Sequence, residues 1–230
     1  MSTELKIIGT SHIAAESIQA VKNTIKELKP DIVCLELDPR RAHALLHNHK
    51  ARLSLKLAKS IGIKGFLFLA IASFLQKRIG KIVGVEPGAE MKTALHAAIE
   101  NNIKIALIDR DIEITLKRLS KAVTWKEKIR FVTDFIKSPF SKEFSEFRID
   151  LRKVPGRQVI EAALTKLKKS YPSLYKALVE ERNEHMAERL ATIIKANPDT
   201  KILAVVGAGH ETELAELTKK KMEETAHQRI

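Results

Sequence analysis

Short, almost continuously apolar runs alternate along the chain with longer segments whose apolar residues recur at helical spacing. Ile18, Val21, Ile25 and Leu28 show the three- and four-residue spacing of one helix face, whereas the short runs are typical of strands buried on both faces. The predicted strands cover residues 5–8, 32–37, 82–85, 104–108 and 201–206. The predicted helices cover residues 16–28, about 40–59, 90–100, 178–196 and 211–224, with another from near 114. This order predicts an α/β fold, with a mostly parallel central sheet flanked by helices.

Residues 120–176 interrupt this alternation. They contain several aromatic residues and three proline breaks, at Pro139, Pro155 and Pro172, and no segment of them has the pattern of a strand. We expect a helical insertion or lid at about 120–176, within a single domain that covers residues 1–230.

The composition narrows the class of protein. The chain is 44% hydrophobic and 30% charged, which excludes a disordered or fibrous protein. Its single cysteine, Cys34, excludes an internal disulfide and a cysteine-based metal site. A reducing compartment fits this, and because the N-terminus has no secretory pattern we expect a cytoplasmic protein. The longest uncharged stretch, residues 65–76, is shorter than the about 20 residues that a membrane-spanning helix needs.

The net charge of +13 is concentrated in residues 41–82, which contain nine basic and no acidic residues. One interpretation is an anionic partner, and an anionic membrane surface suits the lysines and phenylalanines of this segment. The other is a solvated basic face whose acidic complement lies elsewhere in the fold. Exposed apolar side chains in the segment would favour a homodimer. Nucleic acid is an unfavoured partner because no nucleic-acid-binding motif is found.

Two Gly-x-x-His motifs each follow a predicted strand and precede a predicted helix. They run from Gly9 to His12 and from Gly207 to His210. Glycine permits the tight turn and the close backbone approach that such positions require. Ligands of a parallel sheet bind outside the carboxyl ends of its strands, so both histidines are predicted to point into one crevice.

A carboxylate joins these histidines in a candidate metal site. Glu36 lies in the otherwise apolar predicted strand 32–37, on the same face as Asp38 by period-two alternation. A buried carboxylate needs an arginine, a histidine or a metal ion as its partner. Two histidines and a carboxylate are a common ligand set of a catalytic divalent metal, so His12, Glu36 and His210 are the candidate ligands.

A metal-free interpretation stays open. His12 and His210 would then be turn residues that hydrogen-bond the backbone, and Glu36 would form an ion pair with Arg40 or Arg110. More broadly, arginines and carboxylates could form a network that binds a peptide or an anionic ligand without turnover. The arginines concerned are Arg40, Arg41, Arg110, Arg118 and Arg182.

Six groups of residues extend this pattern over nearly the whole chain. They are Gly9-Thr10-Ser11-His12; residues 30–38 with Arg41; Gly88-Ala89-Glu90-Met91; Ile108-Asp109-Arg110-Asp111; Glu181-Arg182-Asn183 with Met186-Ala187; and Val206-Gly207-Ala208-Gly209-His210. In this order they resemble the TraB group of the TraB/PrgY/GumN proteins, of the pheromone-shutdown type. That group is related more distantly to the Tiki proteases and to erythromycin-esterase-like and ChaN-like proteins.

The resemblance implies an α/β fold and a metal-dependent peptidase site, with a divalent ion such as Zn, Mn or Co and a peptide or protein substrate. His12 and His210 become metal ligands, and Glu36 a ligand or a base. The further catalytic candidates are Glu90, Arg182 and Asn183, and the candidate substrate-binding residues are Arg41, Asp109, Arg110 and Glu181. Members of this type often continue into a C-terminal membrane region, so the resemblance also implies membrane association through a missing C-terminal region.

Overall fold

Four strands form a single parallel sheet among the residues that the structure describes. The structure is a computed structural model and describes residues 3–10, 15–47, 88–127, 129–130, 133 and 157–227. The strands are β1 (Glu4–Thr10), β2 (Ile32–Leu35), β3 (Lys104–Leu107) and β4 (Lys201–Gly207). They lie in the order β1-β4-β2-β3, and every pair of neighbours is parallel. The predicted parallel sheet is confirmed, and the strand predicted at 82–85 lies outside the described residues.

Helices alternate with these strands, as the apolar spacing predicts. They are α1 (Ala15–Leu28), α2 (Pro39–Leu46), α3 (Ala89–Glu100), α4 (Ile112–Ala122), α5 (Arg157–Ser170), α6 (Pro172–Tyr175), α7 (Glu181–Ala196) and α8 (Glu211–His227). One π-helical turn, Lys176–Glu180, connects α6 directly to α7. Residues 157–175 are thus largely helical, while their role as an insertion or lid stays a prediction.

The sheet buries a core on each face, which gives the domain three layers. Leu203 and Val205 of β4 belong to the core that α1 and α3 cover. Ile202, Ala204 and Val206 alternate with them and pack against α7 and α8. Both faces of the central strands are therefore covered, which is why β4 is a continuous apolar run and not an alternating one.

Strand β2 is shorter than its apolar run predicts. It ends at Leu35, and the N–H of Leu37 turns back to the carbonyl oxygen of Leu35 at 2.7 Å. Glu36 consequently lies one residue beyond the strand and not inside it. Period-two alternation also stops at this turn, so it does not place Asp38 on the face of Glu36.

Helix α2 begins where the sequence predicts and ends earlier. Asp38 caps it, because its side chain accepts hydrogen bonds from the N–H groups of Arg40 at 2.9 Å and Arg41 at 3.1 Å. The helix ends at Leu46, and His47 closes it with an N–H bond to the carbonyl of His43. The sequence predicts that this helix runs on to about residue 59. That prediction is wrong at residue 47, where the backbone leaves helical geometry. Residues 48–59 lie outside the described residues.

Most of the basic segment 41–82 lies outside the described residues, since the structure describes only 41–47 of it. Its predicted roles as a membrane-binding or dimer-forming surface therefore stay predictions. Among the helices of the described ranges, none combines the length and the apolar character needed to span a membrane.

Candidate functional site

Charged side chains meet at the carboxyl edge of the sheet, just past three neighbouring strands. Glu36 follows β2, Asp109 follows β3, and His210 follows β4. Arg182, in the first turn of α7, contacts all three of these side chains. We call Glu36, Asp109, Arg182 and His210 the inner cluster. Parallel strands end at one edge, so their loops bring these residues together although they are far apart in the chain.

Glu36 is almost completely buried and both of its carboxylate oxygens have partners. Its Oε2 accepts the backbone N–H of Gly207 at 2.6 Å, and its Oε1 contacts the guanidinium of Arg182. The predicted ion pair of Glu36 with Arg40 or Arg110 is therefore wrong, because each of these arginines pairs with other carboxylates. Arg40 pairs with Glu113 and Asp111, and Arg110 pairs with Glu181.

Arg182 is the central cation of the inner cluster. Its Nε and Nη2 donate to the two oxygens of Asp109 at 3.1 and 2.6 Å, and its Nη1 donates to the carbonyl of Leu178 at 3.3 Å. Burial alone would lower the pKa of this guanidinium, but the neighbouring carboxylates of Glu36 and Asp109 outweigh that effect and raise it. Arg182 thus stays charged although it is mostly removed from water.

Asp109 is held as an anion by two guanidiniums. Burial would raise the pKa of its carboxyl, but Arg182 and Arg41 together lower it to about 2. Arg41 also donates from its Nε to Asp38 at 2.6 Å. Arg41, a predicted substrate-binding residue, therefore connects the cap of α2 to the inner cluster, and Asp109 is deprotonated at neutral pH.

His210 takes part in a chain of hydrogen bonds that assigns its tautomer. Asn183 donates from its Nδ2 to Glu213 Oε2 at 2.8 Å, so its Oδ1 is the atom that faces His210 Nδ1 at 2.6 Å. A hydrogen bond between these two atoms requires a proton on Nδ1. In the neutral imidazole Nε2 then carries the lone pair, 3.2 Å from Arg182 Nη1 and 3.5 Å from Glu36 Oε1.

Local backbone structure fixes the position of His210. Its N–H bonds to the carbonyl of Gly207 at 2.8 Å, and its own carbonyl accepts the N–H of Leu214 at 2.9 Å, at the start of α8. The turn is tied to β1 through the Ala208 N–H and the Thr10 carbonyl, 2.8 Å apart. The histidine therefore lies at the junction of a buried strand and a helix, as the Gly-x-x-His motif predicts.

Gly9, in the other Gly-x-x-His motif, leaves space for a side chain of α8. A Cβ atom on Gly9 would overlap the carboxylate of Glu211, so the absence of a side chain lets this carboxylate lie over β1. His12 itself lies outside the described residues, and its role as a metal ligand stays a prediction.

A π-helical turn precedes Arg182 and Asn183. It spans Lys176–Glu180 and contains Leu178, whose carbonyl accepts from Arg182. Such turns insert one extra residue into a helix and are frequent at functional sites. The sequence predicted a continuous helix from 178 to 196 and carried no signal for this irregularity.

The remaining predicted site residues lie around the inner cluster or in the core. Arg110 donates to Glu181 at 3.1 Å, and the more exposed Arg118 donates to the same oxygen at 2.9 Å; we call Arg118 and Glu181 the outer pair. Burial would raise the pKa of Glu181, but these two arginines lower it. Glu90 is buried in the first turn of α3, and its catalytic role stays a prediction.

Glu213 is a site residue that the motif analysis missed. It lies three residues after His210, which is the spacing of neighbouring positions on one helix face. This spacing is the feature of the sequence that could have identified Glu213, because Glu213 belongs to none of the recognised motifs.

Two donor atoms of the inner cluster are separated by the distance expected of two ligands of one divalent metal, and Arg182 contacts both of them. Two ligands of a zinc ion lie about 3.4 Å apart when each bond is about 2.1 Å long and the geometry is tetrahedral. Glu36 Oε1 and His210 Nε2 are 3.5 Å apart, and Asn183 holds the Nδ1 proton as the outer partner of a metal-binding histidine does. Within the described ranges, no group of three or more His, Cys, Asp or Glu side chains could hold a metal. A metal held by Glu36 and His210 would need a further ligand from outside these ranges, and the role of His12, which lies there, stays a prediction.

Fold and site together define an α/β protein with a buried ionic cluster at the carboxyl edge of a parallel sheet. The model of the TraB/PrgY/gumN family matches residues 2–221, nearly the whole chain. The chain belongs to this family, and the resemblance described from its motifs is confirmed.

Similar proteins come from archaea and from mammals. An uncharacterized protein of Methanocaldococcus jannaschii is 36% identical over 219 residues, which cover 94% of this chain and 54% of the relative. A TraB domain-containing protein of Homo sapiens is 26% identical over 230 residues, 89% of this chain and 60% of the relative. The TraB domain-containing protein of Bos taurus gives 26% identity, with 89% and 59% covered. The chain thus spans slightly more than half the length of these relatives.

Proposed function

We propose that this domain is a divalent-metal-dependent hydrolase of peptides, with His12, Glu36 and His210 as metal ligands. The observation that carries the proposal is the pair of donor atoms Glu36 Oε1 and His210 Nε2, which lie 3.5 Å apart at the carboxyl edge of the sheet. A divalent ion supplies Lewis acidity that makes water nucleophilic near neutral pH. Zn, Mn and Co each suit a site of histidine and carboxylate ligands.

The chain's own residues prepare this chemistry in three ways. Asn183 keeps the proton of His210 on Nδ1, which leaves Nε2 as a donor of electrons. The Gly207 N–H holds Glu36 Oε2, and Oε1, which contacts Arg182, is the oxygen that faces His210 Nε2 and would bind the metal or accept a proton. Arg182 places a positive charge beside both atoms, where it would stabilise negative charge that develops on the carbonyl oxygen of a substrate.

Peptide cleavage tests the proposal. A mixture of peptides is incubated with the native protein and Mn, Co or Zn, and products are identified by mass spectrometry. We expect cleavage by the native protein, loss of at least about a hundredfold in His210→Ala, and full activity in the matched control His96→Ala, an exposed histidine on α3. Cleavage that survives in His210→Ala would contradict the proposed role.

A second candidate is a metal-free module that binds a peptide or an anionic ligand without turnover. Arg182 favours it, because this guanidinium already supplies a cationic partner to Glu36, Asp109 and His210. The two candidates separate on chelation: a ligand that stays bound in the presence of a chelator and is recovered uncut supports the binding module.

A further inference from the structure

An open cavity of about 1010 Å³ lies beside the inner cluster. Its described walls come mainly from β1, α5 and the beginning of α8, together with Tyr175 of α6 and the turn that precedes α8. Residues on either side of His210 take part in the wall, including Gly209 and Glu211. Glu213 also lines the cavity and accepts the Asn183 hydrogen bond that orients His210. The cavity therefore adjoins residues that hold His210 in place.

The surface of this cavity combines an apolar wall with acidic side chains. Leu5 and Ile7 of β1 and Ile160 and Leu164 of α5 contribute the apolar part. The acidic part consists of four glutamates, Glu161, Glu211, Glu213 and Glu216.

Of the described residues that line the cavity, one is basic, and its acidic partner lies outside that lining. Lys168 pairs with Glu180 at 3.1 Å, and its ammonium lies 5.0 Å from the centre of the Tyr175 ring. The described lining thus carries more acidic than basic side chains, although the whole chain carries a net charge of +13. Such a local reversal of sign concentrates cationic ligands at this place and repels them elsewhere.

We propose that the cavity binds a peptide segment that carries lysine or arginine side chains next to apolar ones. Glu211 and Glu216 would pair with the basic groups, and β1 and α5 would cover the apolar groups. This inference rests on the proposed function, since it names the substrate class of the same site, whose His210 is flanked by the lining residues Gly209 and Glu211.

Binding of labelled peptides tests the inference without any turnover. Fluorescence anisotropy is measured in a chelator at low salt, with a fluorescein-labelled peptide of alternating alanine, leucine and lysine. A second peptide has glutamate in place of lysine, and a third has serine in place of leucine. We expect the first to bind at least about tenfold more tightly than either of the others. Equal or tighter binding of the glutamate peptide would overturn the inference.

Variants of α8 locate the binding site. Glu211→Gln with Glu216→Gln removes two charges of the cavity, and we expect about tenfold weaker binding of the lysine peptide. Glu223→Gln with Glu224→Gln removes the same charge from the same helix at exposed positions, where these residues pair with Lys219 and Lys220. We expect a change of less than about twofold in this control. Equal effects of the two double variants would contradict a site in the cavity.

Two further outcomes are informative. One would show that the ligand is not a peptide, and the other would refute the substrate class without refuting the proposed hydrolase. If spermidine displaces the peptide as well as the unlabelled peptide does, the cavity selects charge alone and the peptide assignment is wrong. If the lysine peptide does not bind while other peptides are cleaved, the substrate class is wrong and the hydrolase proposal stands.

Discussion

Two sets of ion pairs at the carboxyl edge of the sheet differ in their access to water. In the inner cluster, the side chains of Glu36 and Asp109 are 3% and 1% exposed and that of Arg182 is 14% exposed. In the outer pair, Arg118 is 55% and Glu181 is 25% exposed. An exposed pair costs little to assemble and contributes little, whereas a buried pair must offset a large desolvation penalty. The inner cluster is therefore the arrangement that needs a functional explanation.

The same comparison separates the two kinds of arginine in the site. Arg118 donates a single hydrogen bond of 2.9 Å to Glu181 from an exposed position on α4. Arg182 reaches two carboxylates, a histidine and a backbone carbonyl. Such convergence fixes a guanidinium in one geometry, which is useful for orienting a substrate.

Removal of the central arginine is the largest expected effect. Arg182→Met leaves Glu36 and Asp109 buried without their main partner, and we expect the free energy of unfolding to fall by about 3–5 kcal/mol. The matched change Arg118→Met in the outer pair should cost less than about 1 kcal/mol. Urea unfolding measures both, and equal losses would show that burial does not distinguish the two sets.

Acid is expected to act on the inner cluster through Asp109. Its pKa is about 2 in the folded protein, below the ordinary value of 3.8, so its stabilising contribution is complete above about pH 4 and is lost as the pH falls toward 2. The shift corresponds to about 2 kcal/mol. Unfolding free energies measured from pH 5 to pH 2 should fall less steeply for Asp109→Asn than for the native protein. If the unfolding free energies of the two proteins fell equally with pH, the ion pairs of Asp109 would not account for the acid sensitivity.

A smaller effect is expected at the histidine itself. Asn183→Leu removes the acceptor of the Nδ1 proton, and we expect His210 to lose its single neutral tautomer. Nitrogen NMR of the imidazole should show protonated Nδ1 and unprotonated Nε2 in the native protein and a mixture in the variant. A native protein with the proton on Nε2 would contradict the assigned hydrogen-bond chain.

The sequence predicted the sheet well because its strands are apolar on both sides. The four described strands lie where short apolar runs occur, and helices α1 and α3 begin within one residue of their predicted starts. The end of β2 was missed because the apolar run continues to Leu37, although the chain already turns there. An apolar run indicates which residues are buried, and here the chain stays buried at Glu36 and Leu37, after the strand itself has ended.

The partners within the site were harder to predict than its members. The strand-end argument selected Glu36, Asp109 and His210, but it assigned Arg40 or Arg110 as the alternative partner of Glu36. The actual partner, Arg182, comes from α7 on one face of the sheet. Spacing along the chain carries no information on how a helix is placed over the edge of a sheet, so this contact required the fold.

Metal content is the most direct test of the site proposed at Glu36 and His210. The native protein, His210→Ala and His96→Ala are incubated with Zn, Mn or Co, separated from free ions and measured by elemental analysis. We expect close to one ion per native chain and per His96→Ala chain, and none in His210→Ala. Native protein that binds none of the three ions would contradict the metal site and leave Arg182 as the cation that Glu36 and His210 hold.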